Sequence, residues 1–227
     1  MSDHAPMPEL IGSSRMAIEE FPLYLSLLEE AKVYAENNNI KFFKGAEVEY
    51  ISNSTIYERY LKDLDYLILG QHVIEKNGDF KSTYRLETIE DLTIYRNTLI
   101  EAMQTGYFNL LCHPDLCFYN IENPTKEMYE LLRPVVKIAK ELDIPIEFNA
   151  NGIRKAKVRL NTLDESKYLY PRMEFFKIVK EENAKVHVSS DAHSMADLHD
   201  YAIEKSYQLI DDLKLEVVDS LKMNYYK

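Results

Sequence analysis

From residue 16 onward the chain alternates amphipathic stretches with short apolar runs. MAIEEFPLYLSLLEEAKVYAENN, residues 16–38, places Leu23, Leu27, Leu28, Ala31, Tyr34 and Ala35 at helical spacing and ends in asparagines. It predicts a helix entered through Pro22. KFFKGAEVEY (41–50) and YLILGQHVI (66–74) read as strands, and RLETIEDLTIYRNTLIEAMQT (85–105) as a helix closed by Gly106. YFNLLCHPD (107–115) predicts a third strand, and TKEMYELLRPVVKIAKELD (125–143) a helix kinked at Pro134. IPIEFNANG (144–152) and KVHVSSDAH (185–193) are strands four and five, separated by a helix over 171–183. A helix over 195–212 and a weak strand over 215–221 complete the pattern. Such alternation predicts parallel strands joined by crossover helices, in a single domain spanning 1–227.

Composition narrows the function classes. With 46% hydrophobic and 29% charged residues the chain is an ordinary globular protein. Its net charge of −11 argues against nucleic acid as the partner, since phosphate backbones call for a basic footprint. A small anionic substrate stays open, because bound metal ions reverse the local field. No apolar stretch approaches the roughly 18 residues of a membrane span, and no signal-like segment opens the sequence. A cytoplasmic location and no membrane partner are expected. Cys112 and Cys117 flank HPD with spacing that suits neither a redox pair nor a zinc knuckle, so reduced core thiols are expected.

Each of the five better strands runs apolar and then ends in a metal-competent or hydrogen-bonding residue: Glu47, His72, His113, Glu147 with Asn149, and Asp191 with His193. Singly, each has a bland explanation. His72 reads as a buried imidazole, Glu47 and Glu49 as solvated strand ends, His113 as a turn cap and Asp191 as a helix cap. Jointly they repeat one coincidence, because the carboxyl ends of parallel strands converge on one face. Imidazoles and carboxylates together suit zinc, manganese or iron, and paired metals suit phosphate-ester hydrolysis. His187, alternating with Val186 and Val188, is expected to face away from this point, and His199 to lie on the last long helix.

The segments SDHAP, GAEVEY, LGQHVI, CHPD, EFNANGIRK and SSDAH, in this order, resemble the polymerase and histidinol phosphatase (PHP) family, most closely its histidinol-phosphate phosphatases. The resemblance implies a distorted seven-stranded β/α barrel, up to three divalent metals, and hydrolysis of L-histidinol phosphate in histidine biosynthesis. It implies that Glu47 bridges two metals, that His72 and His113 complete the shell of one, and that Asp191 binds the other. His4 and His193 would share the third metal, and Arg154 would grip the phosphate with its fork of donors. Arg154 and Asp191 are thus the expected catalytic residues.

The family's pattern opens with a strand ending in His-x-His, a helix and a second strand leading into SDH. Here SDH follows Met1 directly, so the barrel is expected to lack its first βα unit and second strand, and to hold fewer metals. Two unpaired sheet edges would follow, open to self-association. The alternatives are a catalytically silent remnant that binds one metal, or a phosphoesterase acting on another small phosphate.

Overall fold

Pro22 in its first turn opens helix α1 (Phe21–Asn37) and fixes where the first element of the chain begins. The computed structural model describes residues 1–10, 15–161 and 164–223. After α1 come strand β1 (Gly45–Val48), helix α2 (Ile56–Asp63) and strand β2 (Tyr66–Leu69), which is buried throughout. The expected single strand over 66–74 stops at Leu69. A hairpin of β3 (Val73–Lys76) and β4 (Asp79–Ser82) follows, turning on Asn77 and Gly78, both with positive φ. That pair is what a tight two-residue hairpin requires.

Helix α3 (Ile89–Gln104) starts with a capping box between Thr88 and Asp91. Asp91 is fully buried and also accepts from Lys76 Nζ at 2.8 Å and Lys81 Nζ at 2.7 Å, so it ties the hairpin to the helix. Strand β5 (Leu110–Leu111) is short. The expected helix over 125–143 divides into α4 (Lys126–Glu130) and α5 (Arg133–Glu141), with Pro134 in the first turn of α5. Proline tolerates that position because the amide it lacks has no partner there. Strand β6 (Ile146–Asn149) passes directly into α6 (Ala150–Leu160), a helix that the pattern did not predict. Helix α7 (Met173–Glu182), strand β7 (Lys185–Ser189), helix α8 (Tyr201–Leu213) and strand β8 (Glu216–Val217) complete the order. His199 is exposed ahead of α8 rather than on it.

The main sheet has the order β1-β2-β5-β6-β7-β8, and every pairing is parallel. This is the expected α/β architecture. Among the described residues β8 and β1 are not paired with each other, so the sheet is not seen to close into a barrel. The outer side of β1 is covered, because Gly45 N donates to Met1 O, Glu47 N to Asp3 O and Ala5 N to Glu47 O, each at 2.9 Å. His4 thereby forms a parallel bridge with Glu47. Among the described residues no helix is long and apolar enough to cross a membrane.

The two faces of the sheet differ. Leu67, Leu69, Leu111, Ile146, Phe148 and Val186 face the large core beneath the helices. On the other face Tyr66, Ile68, Leu110 and Cys112 pack with Leu221 and Met223 of the C-terminal segment. That segment is pinned by His187 Nδ1 against Val218 O at 2.9 Å and by Asn109 Nδ2 donating to Lys222 O at 2.6 Å. Because His187 is in register with Glu147, it shares this second face, contrary to the expectation that it points away.

Candidate metal centre

The second face of the sheet carries Glu47 toward the carboxyl ends of the strands. Glycine at position 70 leaves room for it, since a Cβ there would overlap Cγ, Cδ and Oε1 of Glu47. Glu47 Oε1 stands 3.2 Å from His113 Nε2 and 3.5 Å from His72 Nε2, while Oε2 lies 4.0 Å from His4 Nδ1. The rings of His4 and His72 are 5.1 Å apart, and those of His72 and His113 are 5.0 Å apart. Three imidazoles therefore surround one carboxylate.

His72 is aimed by its other nitrogen. Its Nδ1 is 2.8 Å from Glu49 Oε1, and Glu49 is buried and gripped by Arg15, with Nε on Oε2 at 2.7 Å and Nη2 on Oε1. Tyr84 stacks on the His72 ring, 6.3 Å between centroids and 12° between planes.

His113 holds a φ of 27° and Asp191 a φ of 45°, a left-handed region costly for residues with a Cβ. Buried Glu147 braces the first of these turns. Its Oε2 accepts from His113 N at 2.9 Å, Cys112 Sγ at 2.9 Å and Asn149 Nδ2 at 3.0 Å. Asn149 Nδ2 also reaches Asp191 Oδ2 at 3.1 Å, and Asn151 Nδ2 reaches the same oxygen at 2.9 Å. Asp191 is thus linked to the Glu47 group through Asn149 and Glu147. His193 is turned to solvent, with its Nδ1 2.9 Å from Asp191 O and its amide donating to Asp197 Oδ2 at 3.1 Å.

Arg154, on α6, is buried and directs all three guanidinium nitrogens at protein oxygens. Nε donates to Asp200 Oδ2 at 2.8 Å, Nη1 to Ser190 O at 2.7 Å, and Nη2 to Ser190 Oγ at 2.9 Å and Asp197 O at 2.8 Å. It fastens the loop that carries Asp191 and His193. The resemblance implies that this arginine grips a phosphate; here its donors are engaged with the loop.

Charge is concentrated here. Burial alone would raise the Glu47 carboxyl, but contact with His113 and the fields of His72 and His4 outweigh it and hold the carboxyl well below its usual range. For His113 burial opposes the charged form, yet Glu47, Glu147 and Asp191 raise its pKa to about 9. Burial also pushes Asp115, next to the HP pair, up to about 6, despite the amide of Arg172.

Does a metal suit these residues? Glu47 Oε1, His4 Nδ1 and His113 Nδ1 are buried without a hydrogen-bond partner among the described residues, and a stranded carboxylate oxygen such as Oε1 is costly unless a cation satisfies it. Two groups of donors lie within 4.8 Å of one another: His4, Glu49 and His72, and Glu47, Cys112 and His113. Within the first, both oxygens of Glu49 are already used by Arg15 and His72, which makes it an orienting carboxylate. The donor set fits a divalent metal.

Of the expected site residues, Glu47, His72, His113 and His4 come together, Asp191 joins through asparagines, and His193 and Arg154 stand in the neighbouring loop system. Sequence reasoning read Glu49 as a solvated strand end and Cys112 as a core thiol, named Glu147 among the converging strand-end residues without giving it a role, and did not single out Arg15, Asn151 or Tyr84.

No protein-family model and no curated protein sequence matches the chain. Among solved structures, the crystal structure of histidinol phosphate phosphatase from Lactococcus lactis subsp. lactis Il1403, complexed with zinc, L-histidinol and phosphate, is similar with a TM-score of 0.65. The match covers 93% of this chain and 81% of that one at 15% identity. A cryo-EM structure of archaeal ribonuclease P with mature tRNA matches at a TM-score of 0.47 and 14% identity, over 94% of this chain and 90% of that one. The first likeness shows the fold, an α/β chain with a mostly parallel sheet.

Proposed function

We propose that this chain is a metal-dependent phosphomonoesterase of the PHP kind that hydrolyses L-histidinol phosphate to L-histidinol and phosphate. The observation that carries the reading is the Glu47 carboxylate set among three imidazoles, one of them aimed by a buried Glu49–Arg15 pair. The likeness in fold to a zinc-containing phosphatase supports it.

Glu47, His72 and His113 would hold the best-equipped metal, with His4 beside them, while Asp191 and His193 are the proposed ligands on the far side. Zinc, manganese and iron all suit these donors. A divalent metal supplies Lewis acidity toward phosphoryl oxygens and acidifies water. The chain's own residues do the rest. Glu47 brings negative charge between the imidazoles, and Glu49 fixes the tautomer and direction of His72. Asn149 and Asn151 hold Asp191 by Oδ2, and Oδ1, 3.5 Å from His193 Nδ1, would be the atom to move a proton at the leaving alcohol. Arg154 positions the Asp191 loop, and Tyr84 stacks on His72 and supports its ring.

The test is phosphate release from L-histidinol phosphate by the zinc- or manganese-loaded chain, with His72→Ala as the control for a contaminating phosphatase. Turnover that disappears in the control is expected. Folded, metal-loaded protein that releases nothing overturns the reading. Turnover restricted to another small phosphomonoester keeps the phosphatase and overturns the substrate.

A further inference from the structure

Cys112 is a buried thiol that the proposed chemistry leaves unused. It lies at the end of β5, immediately before His113, and on the same face of the sheet as Glu47 and Glu147. A donor atom from each of Cys112, Glu47 and His113 falls within 4.8 Å of the other two, close enough for one ion to reach all three. A further observation points to a ligand at this spot: Oε1 of Glu47 is buried without a hydrogen-bond partner among the described residues, and Nε2 of His113, a residue 5% exposed, stands 3.2 Å from it. By contrast Cys117, the other cysteine, lies in the hydrophobic core and belongs to no such group among the described residues.

We infer that Cys112 is a metal ligand, completing with Glu47 and His113 a sulfur, oxygen and nitrogen site of the kind zinc prefers. The inference rests on the proposed reading that this centre binds metal, and it adds the donor that selects which metal. Cys112 Sγ donates to Glu147 Oε2 at 2.9 Å. On coordination the S–H bond breaks, the sulfur pair forms the bond to the cation, and the proton leaves to solvent. Glu147 Oε2 is not stranded by this change, because His113 N and Asn149 Nδ2 still donate to it. The cation offsets the repulsion between thiolate and carboxylate. A thiolate favours zinc over manganese or magnesium, which prefer oxygen donors.

Cobalt(II) is the probe, because thiolate bound to cobalt gives a near-ultraviolet charge-transfer band that nitrogen and oxygen ligands do not. The full chain is loaded with cobalt, bound metal is counted by equilibrium dialysis, and the spectrum is recorded for the wild type, Cys112→Ser and Cys117→Ser. The band is expected in the wild type, lost in Cys112→Ser and retained in Cys117→Ser, where Cys112 is the only thiol left. If Cys112→Ser does not fold, the Cys117→Ser spectrum decides. Cobalt bound without the band, or a band lost in Cys117→Ser, overturns the inference and leaves the metal centre standing. Folded protein that binds no cobalt overturns both.

Discussion

His72 turns Nδ1 onto Oε1 of Glu49 at 2.8 Å and, by doing so, presents Nε2 to Oε1 of Glu47 at 3.5 Å. A carboxylate behind an imidazole fixes its tautomer and raises its basicity toward a metal. Glu49→Gln removes the charge and keeps the shape. Titration calorimetry should show zinc binding weakened by about 10- to 100-fold, with the circular dichroism spectrum unchanged. Unchanged affinity would mean that Glu49 serves only Arg15.

Metal binding should depend on pH with a definite sign. In the metal-free protein His113 keeps its proton up to about 9, so an ion that takes Nε2 must displace a proton at lower pH. The His113 proton alone should make apparent affinity rise by about tenfold per pH unit toward that value, and a Cys112 thiol that also gives up its proton should steepen the rise and carry it past that value. Without metal, stability moves the other way. The contribution of the raised imidazole is complete below its ordinary value of 6.5 and is lost as pH rises through about 9. Thermal melts with and without zinc, from neutral to alkaline pH, check both signs.

Gly70→Ala tests the packing of the bridging carboxylate. The added methyl would overlap Glu47 and push it away from His72 and His113. Zinc binding should be lost while the parallel sheet, whose hydrogen bonds do not involve a side chain at position 70, keeps its far-ultraviolet signature. Retained zinc affinity would count against Glu47 as a ligand.

Asp91→Ala should cost about 2–3 kcal/mol, because it leaves Lys76 and Lys81 without their shared acceptor and removes half of the capping box. The Asp91 carboxyl is opposed by burial, yet the two lysines hold it well below the usual range. Its stabilisation is therefore present above the ordinary carboxylate value and fades as pH falls toward the lower native one. Urea melts at neutral and acidic pH should show the gap between variant and wild type closing in acid.

Much of the fold was legible because strands buried on both faces read as unbroken apolar runs. YLIL is one such run, fully buried as β2. The same continuity hid the hairpin. QHVIEK reads on from the strand, although Asn77-Gly78 is a turn signal that a closer reading would have used. Helix α6 escaped notice because Asn149, Asn151 and Gly152 look like a turn, whereas Asn149 caps the helix by accepting from Asn151 N.

At the site, strand-end position revealed Glu47, His72 and His113. It did not reveal Glu49. That acid is buried only because Arg15 reaches it from a segment distant in sequence, and no local pattern records such a partner. The contacts of Arg154 were hidden for a like reason. The resemblance implied a phosphate role, and its partners Asp197 and Asp200 belong to a loop whose path the sequence does not draw.

The C-terminal segment has a bearing on the chemistry of the site. Leu221 and Met223 lie over Tyr66, Ile68, Leu110 and Cys112, so the far end of the chain acts as a stopper beneath the thiol. Protease trimming at that end would open a path for oxidants and alkylating reagents to Cys112, without touching any residue near His113 in sequence. With Cys112 as the ligand inferred above, the redox durability of the proposed centre would be set by a tail that takes no part in its chemistry.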